Sequence, residues 1–125
     1  AGGHGQGDRT DQLNNPTDVL VDKDTDSLII SDMGNRRIVR WSCRTRTYEE
    51  TLLNDVDCTQ ILMDNQRCLY VSDVGEHEVR RYRMGETDGT VVAGGHGSGF
   101  NHNQLRFPTY LCFDRDESIF IADTY

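Results

Sequence analysis

The 125-residue sequence predicts an all-β chain of short antiparallel strands built as a repeat. Three observations carry this reading. The apolar runs "VLV", "LIIS", "LYVS" and "IFIA" are short, rich in β-branched and aromatic residues, and bounded by Asp, Gly and Asn; such runs read as buried strands. No stretch sustains a helical period. Three segments also align in register: "PTDVLVDKDTDSLIISDMGNRRIVRW" from Pro16, "CTQILMDNQRCLYVSDVGEHEVRRY" from Cys58 and "PTYLCFDRDESIFIADTY" from Pro108. Repetition of this kind dictates architecture ahead of local propensity.

Each segment opens with a strand that closes on Asp22, Asp64 or Asp114, followed by a second strand that closes on Asp32, Asp73 or Asp123. The links "DKDTDS", "DNQRC" and "DRDES" are polar and short, as hairpin connections are. "SDMGN" and "SDVGE" predict turns, with Gly34 and Gly75 free to take positive φ. Ile38 and Val79 begin a third strand, which Trp41 and Tyr82 close, and "YEETLLN" and "TVVAGG" supply a fourth. Four short antiparallel strands in roughly 40–50 residues is the pattern of a propeller blade. The expected architecture is therefore a partial β-propeller of four-stranded antiparallel blades, about two and a half in this chain. Blade one covers about 13–54, blade two about 56–95, and an incomplete third about 105–125.

The blades alternate. Asp22 and Asp64 are 42 residues apart, whereas Asp64 and Asp114 are 50 apart. The longer link, "AGGHGSGFNHNQLRFP", mirrors "AGGHGQGDRTDQLNNP" at the start, so the unit of repetition is a pair of blades. A residue copied into every unit is more simply a turn residue than a catalytic one. A carboxylate there accepts backbone N–H groups and fixes the connection. Asp22, Asp32, Asp64, Asp73, Asp114 and Asp123 are assigned that structural role.

With 13 basic and 21 acidic residues the net charge is −8. This argues against nucleic acid, whose phosphates require a concentrated basic surface, and against an anionic membrane surface. No apolar run approaches the roughly 20 residues of a membrane span. "RRYR" at 80–83 reads as a strand face. The four cysteines, Cys43, Cys58, Cys68 and Cys112, form no CxxC pair, which disfavours a zinc ribbon. Their even number permits two disulfides, and disulfides in an extracellular setting are favoured over four thiols.

Little in the chain reads as chemistry. His4 and His96 occupy the same position of the Gly-rich link, which in a propeller lies near one face of the disc. Two imidazoles there could take a divalent metal, but their recurrence favours a loop residue, and no metal site is assigned. "AGGHGSG" lacks the GxxxxGK(S/T) spacing and no helix follows it, so it is not a phosphate cradle. Ser98 lies in no nucleophile elbow, and Cys58 or Cys112 would need an activating histidine. No catalytic residue and no cofactor is assigned. His4, His96, Arg36, Arg37 and His77 stand as candidate binding residues of a loop face.

Pro16, Asp22, Asp32, Asn35, Arg36 and Ile38, in the pattern Pro–strand–Asp, strand–Asp, "GNRRI", resemble the NHL repeat. The "AGGxGxG…NQLxxP" link resembles that of rotifer-type NHL-repeat proteins. The second segment departs from the pattern, with Cys58 in place of Pro and "EHEV" at 76–79 in place of "NRRI". The resemblance implies a propeller of six blades, which at this spacing needs about 276 residues. The expectation is an excerpt of a larger protein, or copies that associate. It further implies a non-enzymatic scaffold whose partner is another protein or the chain itself. The alternatives are a subunit or fragment of an extracellular repeat fibre, and a fragment of a metal-dependent propeller enzyme such as an amidating lyase. RNA binding by some NHL proteins uses a basic face, which the net charge opposes.

Overall fold

The computed structural model describes residues 1–123. Its strands run in the order β1 (Pro16–Asp22), β2 (Ser27–Asp32), β3 (Arg37–Ser42), β4 (Tyr48–Asn54), β5 (Cys58–Met63), β6 (Cys68–Asp73), β7 (Glu78–Arg83), β8 (Thr90–Gly94), β9 (Pro108–Phe113) and β10 (Ile119–Asp123), with one 3-10 turn at Met33–Asn35. They form three antiparallel sheets: β1-β2-β3-β4, β5-β6-β7-β8, and the pair β9-β10. The protein is all-β. The third expected blade runs to residue 125, and its last two residues, Thr124 and Tyr125, lie outside the described residues. The chain divides into two compact units, Ala1–Cys58 and the remainder from Thr59.

In the first unit the strand alternation sorts side chains onto two faces. Ser31 pairs with Ile38 and Ile29 with Arg40 across β2 and β3, placing Ile29, Ser31 and Ile38 on one buried face. The opposite face carries Ile30, Val39 and Trp41, which form a core cluster with Leu13, Leu28 and Tyr48. At the edge of the first face, the Thr17 and Ser31 hydroxyls both donate to the Cys58 carbonyl, at 2.9 and 2.8 Å.

The second unit repeats this joint. Thr59 and Ser72 both donate to the Pro108 carbonyl. The Gln60 side chain accepts the Leu111 N–H, and the Tyr70 ring meets Phe113 edge-on at 5.1 Å. Leu111, on β9, is 1% exposed. A two-stranded sheet is marginal by itself, so these contacts are what order β9-β10.

The hairpin loops are closed by their aspartates. Asp64 Oδ1 accepts the N–H groups of Gln66 and Cys68 at 2.9 and 2.8 Å, and Asp114 Oδ1 those of Asp116 and Ser118 at 2.9 Å each. Asp22 accepts from the Asp24 N–H and the Thr25 hydroxyl. In the β2-β3 turn the left-handed residue is Arg36, φ 50°, and in the β6-β7 turn His77, φ 56°. Gly34 is needed for a different reason than positive φ. A Cβ there would lie 2.4 Å from the Asn14 carbonyl oxygen, whose bond to the Gly34 N–H draws the two backbones together.

The expected disulfides are not formed: none of Cys43, Cys58, Cys68 and Cys112 is disulfide-bonded. Strand register explains this. Cys68 faces Arg83 across β6 and β7, and Cys112 faces Phe120 across β9 and β10. Cys43 sits in the turn after β3, its N–H bonded to the Asp26 carbonyl. Cys58 is fully buried. In a thiol-labelling time course we expect exposed Cys112 to react first and half-buried Cys43 more slowly. Cys58 and Cys68 should react only on unfolding. Fewer than four reactive thiols in denaturant without reductant would reveal a disulfide and refute this arrangement.

Candidate functional site

The most elaborate polar arrangement surrounds the first Gly-rich loop. Asp32, fully buried at the end of β2, accepts the Asn14 N–H at 2.7 Å, Asn35 Nδ2 at 2.8 Å and Arg37 Nε at 2.7 Å. Arg37, 8% exposed at the start of β3, turns its other nitrogens onto backbone carbonyls of the loop. Nη2 donates to Arg9 at 3.0 Å and Gln12 at 2.7 Å, and Nη1 to Asp8 at 3.5 Å. Asn35 Nδ2 also reaches the Gly7 carbonyl at 2.8 Å. A guanidinium has five donors in a fixed fork. Here that fork ties a carboxylate and three carbonyls into one knot, using four of the five Arg37 donors within the fold.

The two Gly-rich loops share one internal geometry. Gln12 Nε2 donates to the His4 carbonyl at 3.1 Å, and Gln104 Nε2 to the His96 carbonyl at 3.0 Å. The glutamine oxygens accept from Arg9 N and Asn101 N at 3.4 and 3.3 Å. Parallel bridges join Gln6 to Leu13 and Ser98 to Leu105. The Asp123 carboxylate accepts the Arg106 N–H at 2.6 Å, as Asp32 accepts that of Asn14. Gln12 and Gln104 therefore close the loops, a role the sequence reading did not assign. The available signal was a glutamine recurring eight residues after each loop histidine.

The histidine rings take no part in this. His4 is exposed, with Nδ1 4.0 Å from Asp11. His96 is exposed beside His102 in a groove of about 590 Å³ that Val91, Gln104 and Leu105 also line. His77 packs edge-on against Phe107 at 5.1 Å, its Nδ1 3.4 Å from the Phe107 N–H. Arg36 is exposed and paired with Asp57 at 2.9 Å. Of the five candidate binding residues, Arg37 lies inside the fold and Arg36 is engaged by a neighbouring carboxylate. Among the described residues no three His, Cys, Asp or Glu side chains come together to hold a metal ion.

Where the sequence departs from "NRRI", the chemistry changes sign. Glu78 stands opposite Asp73 across β6 and β7, as Arg37 stands opposite Asp32. Asp73 turns to the backbone, its Oδ1 accepting the Gly75 and Glu76 N–H groups at 2.9 and 3.1 Å. Glu78, 6% exposed, pairs with Arg80 Nε at 2.5 Å. That bond holds the Arg80 guanidinium above its ordinary range. Only three residues separate β4 from β5, so no long loop precedes this segment for an arginine to hold.

Comparison with protein-family models and with curated proteins found no match.

Proposed function

We propose that the chain is a non-enzymatic scaffold of NHL-like repeats, its sheets the blades of a propeller-type assembly, acting through self-association. The observation that carries this is the repeat itself: two four-stranded meanders and two Gly-rich loops closed by Gln12 and Gln104 in the same way. The propeller reading draws support from the four-stranded meanders, each in sequence order, and from the matching geometry of the two Gly-rich loops. The scaffold reading draws support from Asp32, Asn35, Arg37 and Gln12, whose polar groups are bonded within the fold.

Sedimentation velocity over a wide concentration range tests this. The expected result is a mass above the 14.2 kDa of one chain, growing with concentration. A folded species of single-chain mass at every concentration would refute self-association.

A further inference from the structure

We propose that two copies of this chain associate about a two-fold axis, Phe100 of each copy seating in the groove beside β8 of the other. This rests on the self-association proposed above and assigns its surface.

Charge singles out the region. The chain is 27% charged with a net charge of −8, so most of its surface repels a second copy. From Gly89 to Leu105 the sequence carries no Asp, Glu, Lys or Arg, and no other run between charged residues is as long. This stretch holds β8 and the second Gly-rich loop. It also holds Phe100, at 82% the most exposed large hydrophobic side chain among the described residues.

The first loop is the internal comparison. Gln12 and Gln104 close the two loops by the same bond, so the shape does not depend on the side chains at the tip. There Asp8, Arg9 and Asp11 stand where the second loop has Phe100, Asn101 and Asn103. A charged tip has given way to an uncharged one that carries a bare ring. That exposure does not rest on which sheets adjoin the loop. The first loop is followed by a complete four-stranded sheet and the second is preceded by one. Asp8 and Thr10 are exposed in the first setting, as Phe100 and His102 are in the second.

The groove lies in the same uncharged stretch. It holds about 590 Å³, with Val91, Val92 and Ala93 on one wall and His102, Gln104 and Leu105 on the other. β8 is the outer strand of its sheet and pairs with β7 alone, as β4 pairs with β3 alone although a complete sheet follows it. Val79 meets Ala93 and Arg80 meets Val91, so Val92 is the extra residue of a bulge. It is 39% exposed, and Val91 beside it 38%. Phe100 does not fill this groove in its own chain; its ring stands out in solvent with the Arg106 guanidinium 5.4 Å from its centroid. A protruding ring and an apolar-walled groove on one uncharged stretch make a self-complementary surface. A contact that uses each of them twice is isologous and closes at two chains.

Sedimentation velocity on three variants tests this. Phe100→Asp puts at the tip the residue that the first loop carries there, so the loop keeps its shape. Val92→Asp charges the groove at a position with no cross-strand partner in β7. Val19→Asp, 55% exposed on β1, controls for the added charge and should leave association unchanged. Circular dichroism verifies that all three are folded. The wild-type mass should rise with concentration from one chain to two and stop there. Phe100→Asp and Val92→Asp should each weaken association by about tenfold or more, as loss of a central apolar anchor does. Mixed in equal amounts, the two should pair more tightly than either does alone, because one intact ring then meets one intact groove. Phe100→Asp and Val92→Asp chains that associate as the wild type does overturn this surface while self-association stands. So does a mass that climbs beyond two chains, or an equal loss in Val19→Asp. A mixture no tighter than its components overturns the seating of ring in groove. A folded wild-type chain that stays single at every concentration overturns this inference together with the reading beneath it.

Discussion

Arg37→Ala is expected to destabilise the first unit by about 3–5 kcal/mol, the range found when one partner of a buried ion pair is removed. Asp32, wholly buried, would lose its counter-charge, and the carbonyls of Asp8, Arg9 and Gln12 would each lose one donor. A small domain has only about 5–15 kcal/mol in total, so the loss is a large share. Arg37→Lys should recover little. An ammonium carries its three donors on one nitrogen and cannot span a carboxylate and three carbonyls at once. Arg36→Ala is the internal comparison, since its partner Asp57 is met in the open, where a pair is worth about 0–1 kcal/mol. Urea unfolding followed by Trp41, the one tryptophan and a member of the same sheet's core, reports both. An Arg37→Ala midpoint no lower than that of Arg36→Ala would refute the knot.

That pair of arginines also shows where sequence reading stopped. "SDMGNRRI" announced a strand, a turn and a strand, and the all-β class followed from such runs. The sequence did not show which arginine turns inward. Arg36 and Arg37 were equal candidates for a binding face, and strand alternation decides between them. Arg37 opens β3 on the face of Asp32, while Arg36 holds the left-handed turn outside it. The acceptors of Arg37 are backbone carbonyls 25–29 residues earlier, and a carbonyl has no letter in a sequence. The cysteines failed for a related reason. Their even number permitted pairing, but register sets Cys68 against Arg83 and Cys112 against Phe120. The Gly-rich loops were legible as links, and their histidines drew attention. The side chains that shape those loops are Gln12 and Gln104.

Leu111→Ala is expected to release the third sheet while leaving the first intact. Leu111 is 1% exposed, and trimming a buried leucine to alanine costs about 2–5 kcal/mol. β9 has one strand partner, β10, so its order depends on the contacts around Leu111 and Phe113. Such a region opens locally before the whole structure does. Amide hydrogen exchange should therefore show lost protection across Pro108–Asp123, with protection in Ser27–Ser42 unchanged. Val19→Ala makes the comparison sharp, because Val19 holds the same repeat position at 55% exposure. In dilute protein it should move stability by no more than about 0.5 kcal/mol, as surface changes do. The same register position would then carry a large effect where it is covered and a small one where it is open. Protection of β9-β10 undiminished in Leu111→Ala would mean that the sheet is held by something other than this apolar contact.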